Sequence, residues 1–235
     1  MLQQTQVRRV IEHYRRFIKR FPNFRALARA ANSDVLAAWQ GLGYNRRAIY
    51  LKRAAEAVVR EFGGRLPRER TALEALPGIG RGTSGSLMAF AFNEPVVFIE
   101  TNIRRVFIHF FFPKRKKVTD AELERYIKRS IDNERPREWY WALMDYGAAM
   151  SANGSRGRNP NRRSAHYKKQ AAFAGSDREL RGKIVRLALA GKDKTVDAAK
   201  LAGMLGIPRA RFGRIICGME KDGLIARKKN TICIK

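Results

Sequence analysis

The sequence predicts an all-α chain that ends in a small α+β element, on three grounds. Apolar residues recur at three- and four-residue steps through most of the chain. Caps, prolines and glycines cut that periodicity into helix-sized lengths. Paired β-type runs joined by a turn occur only at the C-terminal end. With 45% hydrophobic residues among 235, the chain can bury a real core, and it is no disordered basic tail.

The elements follow in order. Over 5–21, Val7, Val10, Ile11, Tyr14, Phe17, Ile18 and Phe21 stand at helical spacing among Arg and Lys, an amphipathic helix. A short helix over 24–31 follows Pro22, and Ser33 is placed to cap a third that carries Val35, Leu36 and Trp39 before Gly41 and Gly43 stop it. Asn45 opens a longer helix through Ala55, Val58, Val59 and Phe62, closed by Gly63 and Gly64. Leu73 and Leu76 end a short helix at Pro77, and 83–92, rich in Ala, Leu, Met and Phe, reads as a buried helix. Val96 to Ile99 is an extended apolar approach to Glu100, after which Ile103, Val106, Phe107 and Phe110 form another helical face. Thr119 and Glu122 have capping-box spacing for a helix to about Asp132. Pro136 precedes a helix through Trp139, Tyr140, Leu143 and Met144 that is expected to stop at Gly147. Residues 151–164 lack periodicity and read as a basic loop.

Helices are expected again at 177–189, 196–205 and 209–221, then β runs at 224–227 and 231–234 joined by Lys228-Lys229-Asn230. That is the order of a winged helix, whose third helix usually enters the major groove while the wing touches backbone. Arg209, Arg211 and Arg214, with Lys228 and Lys229, fit DNA contact, although small winged helices also dock proteins. The expected division is therefore a helical domain over 1–150, a basic loop over 151–175 and a winged-helix domain over 176–235.

Charge narrows the partners. Lys and Arg number 49 against 21 Asp and Glu, a formal charge of +28, with knots at 114–117, 156–169 and 228–229. Each knot alone could be a solvated face; together they favour a nucleic-acid surface. The apolar runs are too short to span a bilayer and the N-terminus lacks a signal-peptide pattern, so a soluble, cytoplasmic, nucleoid-associated protein without membrane partners is expected. The two cysteines, Cys217 and Cys233, are far apart and near no histidine cluster, which excludes a disulfide scaffold or a locally spaced metal site. His13, His109 and His166 read as surface or packing residues, and no metal ligand is expected.

Two segments carry chemistry. Leu76-Pro77-Gly78-Ile79-Gly80-Arg81-Gly82-Thr83 joins two helices through a glycine-containing hairpin. Its glycines allow unusual backbone angles and turn N–H groups outward at a helix N-terminus, where they can hold a phosphate without reading sequence. Taken alone it is an ordinary tight turn. About twenty residues later, Glu100-Thr101-Asn102-Ile103-Arg104-Arg105-Val106 sets a carboxylate just before a helix.

With these two segments, Met1-Leu2-Gln3-Gln4-Thr5-Gln6-Val7 and Gly41-Leu42-Gly43-Tyr44, the chain resembles the helix–hairpin–helix DNA glycosylase superfamily, and most closely its MutY-type adenine glycosylase branch. The likeness runs from Met1 to about Ala149. It implies a two-lobed helix–hairpin–helix fold that kinks double-stranded DNA, flips a damaged or mismatched nucleotide into the cleft between lobes and cuts its N-glycosidic bond. It also implies site roles. The loop at Gln3 and Gln4, with Thr5, and the aromatic Tyr44 wedge into the duplex, and Leu2 lies against the target base. Gly78, Ile79, Gly80, Arg81, Gly82 and Thr83 hold backbone phosphate. The carboxylate of Glu100 stabilises the positive sugar that forms as the base leaves, and Asn102 hydrogen-bonds near it.

The sequence departs from the family in five places. The family usually has Asp where this chain has Glu100, and the extra carbon–carbon bond moves the charge by roughly 1.5 Å. Bifunctional members carry a nucleophilic lysine where Gly82 stands, so a monofunctional enzyme is expected. The adenine branch's general-acid glutamate would fall two residues before Met1, so the expectation is a start further upstream or a truncated product. Most relatives have a four-cysteine iron–sulfur loop where this chain has Arg162, Arg163, Lys168 and other cations, so no cluster is expected and the loop is assigned to phosphate contact. Finally, a winged helix replaces the branch's usual C-terminal domain. The leading expectation is an adenine glycosylase of base-excision repair, monomeric and without cofactor, acting on A opposite G or 8-oxoguanine. A mismatch uracil or thymine glycosylase of the same superfamily, or a non-catalytic damage sensor or winged-helix regulator, stays open.

Overall fold

The structure is a computed structural model that describes residues 1–2, 5, 7–152, 159–169 and 171–235. Helices α1 (Val7–Arg20), α2 (Phe24–Arg29), α3 (Asn32–Trp39), α4 (Arg46–Phe62), α5 (Arg70–Ala75) and α6 (Arg81–Phe92) come first. Then follow α7 (Thr101–Phe111), α8 (Asp120–Ser130), α9 (Pro136–Ala152) and a 3₁₀ turn at Pro160–Arg163. The chain closes with α10 (Asp177–Ala190), β1 (Thr195–Asp197), α11 (Ala198–Leu205), α12 (Arg209–Lys221), β2 (Ile225–Lys228) and β3 (Thr231–Ile234). The fold is mostly helical, as the periodicity predicts.

Contacts divide the chain into two units: 1–66 with 76–78 and 171–235, and 67–75 with 79–170. The boundaries expected from sequence, at 150 and 176, fall elsewhere, and the reason is packing. Leu180, Ile184 and Val185 of α10, with Leu201, Ile215, Ile216 and Met219 of α11 and α12, share one apolar core with Phe17, Leu36, Trp39 and Ile49. The last 65 residues thus complete the first unit instead of standing apart. In α1, Val10 and Phe17 face this core, whereas Val7, Ile11, Tyr14 and Ile18, spaced to form one stripe, are exposed. The strands pair antiparallel in the order β1-β3-β2, with Val196 opposite Ile232 and Ile225 opposite Ile234. Val196 therefore belongs to a strand, not to the helix expected there. Asp197 caps α11 by accepting from the Lys200 N–H at 2.8 Å, which fixes the helix start at Ala198.

The second unit packs Ile103, Phe107 and Ile108 of α7 against Leu123 and Ile127 of α8 and Tyr140 of α9. The expected capping box is present: Thr119 Oγ1 accepts from the Glu122 N–H, and Glu122 Oε2 accepts from the Thr119 N–H at 2.8 Å. Two expectations change here. Helix α9 continues through Gly147 to Ala152, because Gly147 serves close packing and not a helix stop. A Cβ at that residue would lie 2.6 Å from the Asn102 carbonyl oxygen. The segment expected as loop is partly ordered by a bridge from Ser164 to Val118 and by the 3₁₀ turn; residues 153–158 lie outside the described residues. Ser33 is inside α3, which begins after Ala31 without a side-chain cap.

Candidate active site

The second unit positions Glu100 through backbone and aromatic packing. The extended stretch before it lies against α6 at Gly85, where a Cβ would sit 2.4 Å from Phe98 Cβ, so only glycine lets the two approach. Tyr140, fully buried, donates to the Val96 carbonyl at 2.8 Å and accepts from the Phe98 N–H at 3.4 Å. Its ring centroid stands 4.3 Å from that of Phe98, and burial pushes its phenol up to about 12. The hydroxyl therefore stays protonated and pins the approach from both sides.

Glu100 is the N-cap of α7. Its φ of −121° and ψ of 179° turn the chain into the helix, and its Oε1 accepts from the N–H groups of Asn102 and Ile103, the latter at 2.9 Å. The longer glutamate side chain thus folds back and places its carboxylate at the positive end of the helix. Burial raises the Glu100 pKa above the ordinary glutamate value. The N–H groups of Ile103, Asn102 and Thr101, and the charge of Arg104, pull the other way and do not cancel it.

Beneath this carboxylate Arg105 is buried. It donates to Asn102 Oδ1 at 2.8 Å and to the Gly147 carbonyl, and desolvation lowers its pKa while Glu100 raises it. Asn102 thus meets Glu100 through its backbone N–H, while its side chain, expected near the carboxylate, turns toward the guanidinium. Asn161 donates from Nδ2 to the Thr101 carbonyl at 3.0 Å, tying the 3₁₀ turn to the start of α7. Gly82 lies in the first turn of α6, and a Cβ there would stand 3.9 Å from the Ile99 carbonyl oxygen. A side chain at 82 has ordinary room beside the residue preceding Glu100. Gly80 caps α6 without a side chain, with Ile79 just before the cap and Arg81 and Thr83 in the first turn of the helix.

In the first unit, Gly78 takes a left-handed φ of 79°, and a Cβ there would come 2.7 Å from Tyr50 Cβ, so the hairpin glycine is required by both conformation and space. Leu2 is exposed, Thr5 Oγ1 donates to the Leu42 carbonyl at 3.3 Å, and Tyr44 takes a left-handed φ of 48°. Gln3 and Gln4 lie outside the described residues.

The expected phosphate contacts divide. Arg214, Lys228, Lys229, Arg162 and Lys168 are exposed. Arg163 instead donates to the carbonyls of Phe112 at 2.8 Å, Ile108 at 3.3 Å and Pro113, closing the C-terminal end of α7, where its positive charge meets free carbonyls. Arg211 is likewise engaged, with Asp177 at 2.7 Å and the Gly175 carbonyl at 2.6 Å. Both guanidinium groups have internal partners that the sequence did not reveal.

A family model described as HhH-GPD superfamily base excision DNA repair protein matches residues 1–131. The chain belongs to this superfamily. An adenine DNA glycosylase of Buchnera aphidicola subsp. Baizongia pistaciae is 35% identical over 154 residues, 64% of this chain and 43% of that protein. An adenine DNA glycosylase of Mycolicibacterium smegmatis is 32% identical over 244 residues, 96% of this chain and 81% of that protein. The chain thus spans less than half of the first relative and most of the second. A solved thermostable thymine-DNA glycosylase has a TM-score of 0.55 at 25% identity, covering 63% of this chain and 69% of that one.

Sequence reasoning missed Gly85, Tyr140 and Gly147 as site-building residues of this superfamily member. Their signal is small: a glycine inside a helix, and a tyrosine within an aromatic run. Only contacts between elements distant in sequence expose them.

Proposed function

We propose that the chain is a monofunctional DNA N-glycosylase of base-excision repair, acting on adenine opposite guanine or 8-oxoguanine. The observation that carries this reading is the carboxylate of Glu100, half-buried at the N-terminus of α7 and next to Asn102. In the reaction the bond between the sugar C1′ and the base nitrogen breaks, its electron pair leaves with the base, and the base takes up a proton. The sugar is left as an oxocarbenium ion, and water adds to C1′ with loss of a proton. A fixed anion near that cation lowers the barrier. Similarity to adenine DNA glycosylases supports the choice of base. Gly82 offers no amine, which supports hydrolysis by water without strand scission.

The partner proposed is double-stranded DNA carrying a mismatched or damaged base, bound by a monomer in the cytoplasm. The hairpin N–H groups at Gly78 to Thr83 and the exposed Arg162, Lys168, Arg214, Lys228 and Lys229 would meet phosphate. An iron–sulfur cluster does not fit this donor set. Such a cluster takes four thiolates, and the chain has two cysteines, one exposed on α12 and one on β3 whose Sγ lies 3.3 Å from the Ala226 carbonyl. Function without a cluster is therefore part of the proposal. Likeness to the thymine-DNA glycosylase favours a second reading, excision of thymine or uracil opposite guanine.

The test uses duplexes with A opposite 8-oxoguanine, A opposite G, T opposite G and U opposite G, each incubated with this chain and with a form extended upstream of Met1, then treated with alkali. Cleavage of the adenine duplexes supports the first reading and cleavage of T or U the second. No alkali-labile site in any duplex leaves a DNA-binding protein without catalysis. Scission before alkali overturns the monofunctional assignment.

A further inference from the structure

Two guanidinium groups lie over the ring of Tyr44, and one comes from far along the chain. A bulky residue keeps a left-handed backbone, φ 48° here, only where its surroundings fix it. Arg47 in α4 sets its Cζ 5.5 Å from the ring centroid and 5.4 Å from that of Trp39, and donates to the carbonyls of Leu42 and Gly43 at 3.2 and 3.4 Å. Arg178, in the first turn of α10, sets its Cζ 5.7 Å from the same Tyr44 ring. Its Nη1 donates to Tyr44 Oη at 2.7 Å, and its Nη2 donates to the Ala171 carbonyl at 2.7 Å. Helix α10 is itself held, by the Ser176 cap and by burial of Leu180 and Ile184 in the core of the first unit. The guanidinium thus grips both the face and the phenol end of the ring from a fixed platform.

The turn that carries Tyr44 lies inside the stretch that matches the family model, 1–131, whereas Arg178 lies outside it. We infer that Arg178 is a positioning residue for Tyr44, through which the C-terminal segment presets an aromatic side chain on the DNA-binding face. The inference rests on the glycosylase reading only for the ring's entry into a duplex. A ring already fixed in place loses little freedom on binding, so the clamp favours affinity through preorganisation and not through a contact of its own with DNA. Arginine suits the role because its planar fork can stack and donate together, which an ammonium cannot.

The experiment is a double-mutant cycle read by fluorescence anisotropy on a labelled duplex with A opposite 8-oxoguanine, across a range of salt. The full chain is compared with Arg178→Ala, Tyr44→Ala and the double variant. Arg178→Ala is expected to weaken binding about five- to tenfold, to cost less than about twofold in the Tyr44→Ala background, and to leave the salt slope unchanged. Equal losses in both backgrounds, or a salt slope lowered by about one, would mean that Arg178 meets phosphate itself and would overturn the inference; so would unchanged affinity. Should Arg178→Ala unfold, Tyr44→Phe reads the same contact from the other side: a loss of about two- to fivefold is expected from removing the acceptor, and none would overturn it. The readout is binding, so a failed clamp appears here, while a failed glycosylase reading appears only as missing alkali-labile sites.

Discussion

The surroundings of Glu100 and the cationic surface of the C-terminal segment are built on opposite terms. Around Glu100 nearly everything is fixed by backbone: a helix N-terminus, a buried phenol bridging Val96 and Phe98, and two glycines at which a Cβ would fall within 2.6 Å of a neighbour. Along α12 and the β2–β3 turn, Arg214, Lys228 and Lys229 are exposed on long side chains. A reaction that develops charge at one carbon needs a single anion held to a fraction of an ångström, and rigid packing supplies that. A phosphate backbone offers many equivalent charges, and adaptable cations suffice. The difference predicts that substitutions near Glu100 act steeply and individually, and those on the cationic surface gently and additively.

Glu100→Gln breaks the first half of that contrast most directly. Single-turnover base excision is expected to fall on the order of a hundred- to a thousandfold, with duplex binding kept. The raised pKa adds a pH signature. On the proposed mechanism excision needs the anion, so the wild-type rate should fall on the acid side at a pH above the ordinary glutamate value. Stability runs the other way. A carboxyl whose folded pKa is raised favours the fold at low pH, and that contribution is lost as pH rises through the folded value. Glu100→Gln should therefore melt higher than wild type at neutral pH, with the gain shrinking on acidification. A variant that melts lower at neutral pH would show that the cap outweighs burial.

A pair of glycines compares the two units at one step removed from chemistry. Gly147→Ala pushes a methyl into the Asn102 backbone, 2.6 Å away, and should destabilise by about 1–3 kcal/mol and slow excision, as seen in denaturant melts and single-turnover rates. Gly182, inside α10, would have no described neighbour within 4 Å of an added Cβ. Gly182→Ala should stabilise by about 0.5–1 kcal/mol with excision unchanged. Equal behaviour at the two positions would remove the basis for treating the units differently.

Legibility in the sequence follows the same division. Helices and caps announce themselves locally, and Thr119 with Glu122 is present as read. The carboxylate before α7 was legible too, because a motif of seven residues carries it. What could not be read is whatever depends on a partner far along the chain. Gly147 reads as a helix stop until Asn102 is set against it, and Val196 reads as helical until Ile232 pairs with it. Arg163 and Arg211 look like free cations in a basic run, yet carbonyls at 108–113 and the Asp177 carboxylate occupy them. Composition counts charges, and only tertiary contact decides which of them face solvent.

The smallest expected effects test the surface half of the comparison. Arg214→Ala and Lys228→Ala each remove one exposed cation, so each should lower the slope of log affinity against log salt by about one and weaken binding by a few-fold at moderate salt, to a similar degree for every duplex. Because the two side chains share no partner among the described residues, their effects should add. Arg211→Ala provides the control. Its guanidinium already pairs with Asp177 and the Gly175 carbonyl, so its removal should leave the salt slope unchanged while loosening the start of α10. If Arg211→Ala lowered the slope as much as Arg214→Ala, internal pairing would not be what separates structural from DNA-facing cations, and exposure alone would have to be reconsidered as the criterion along the whole basic surface.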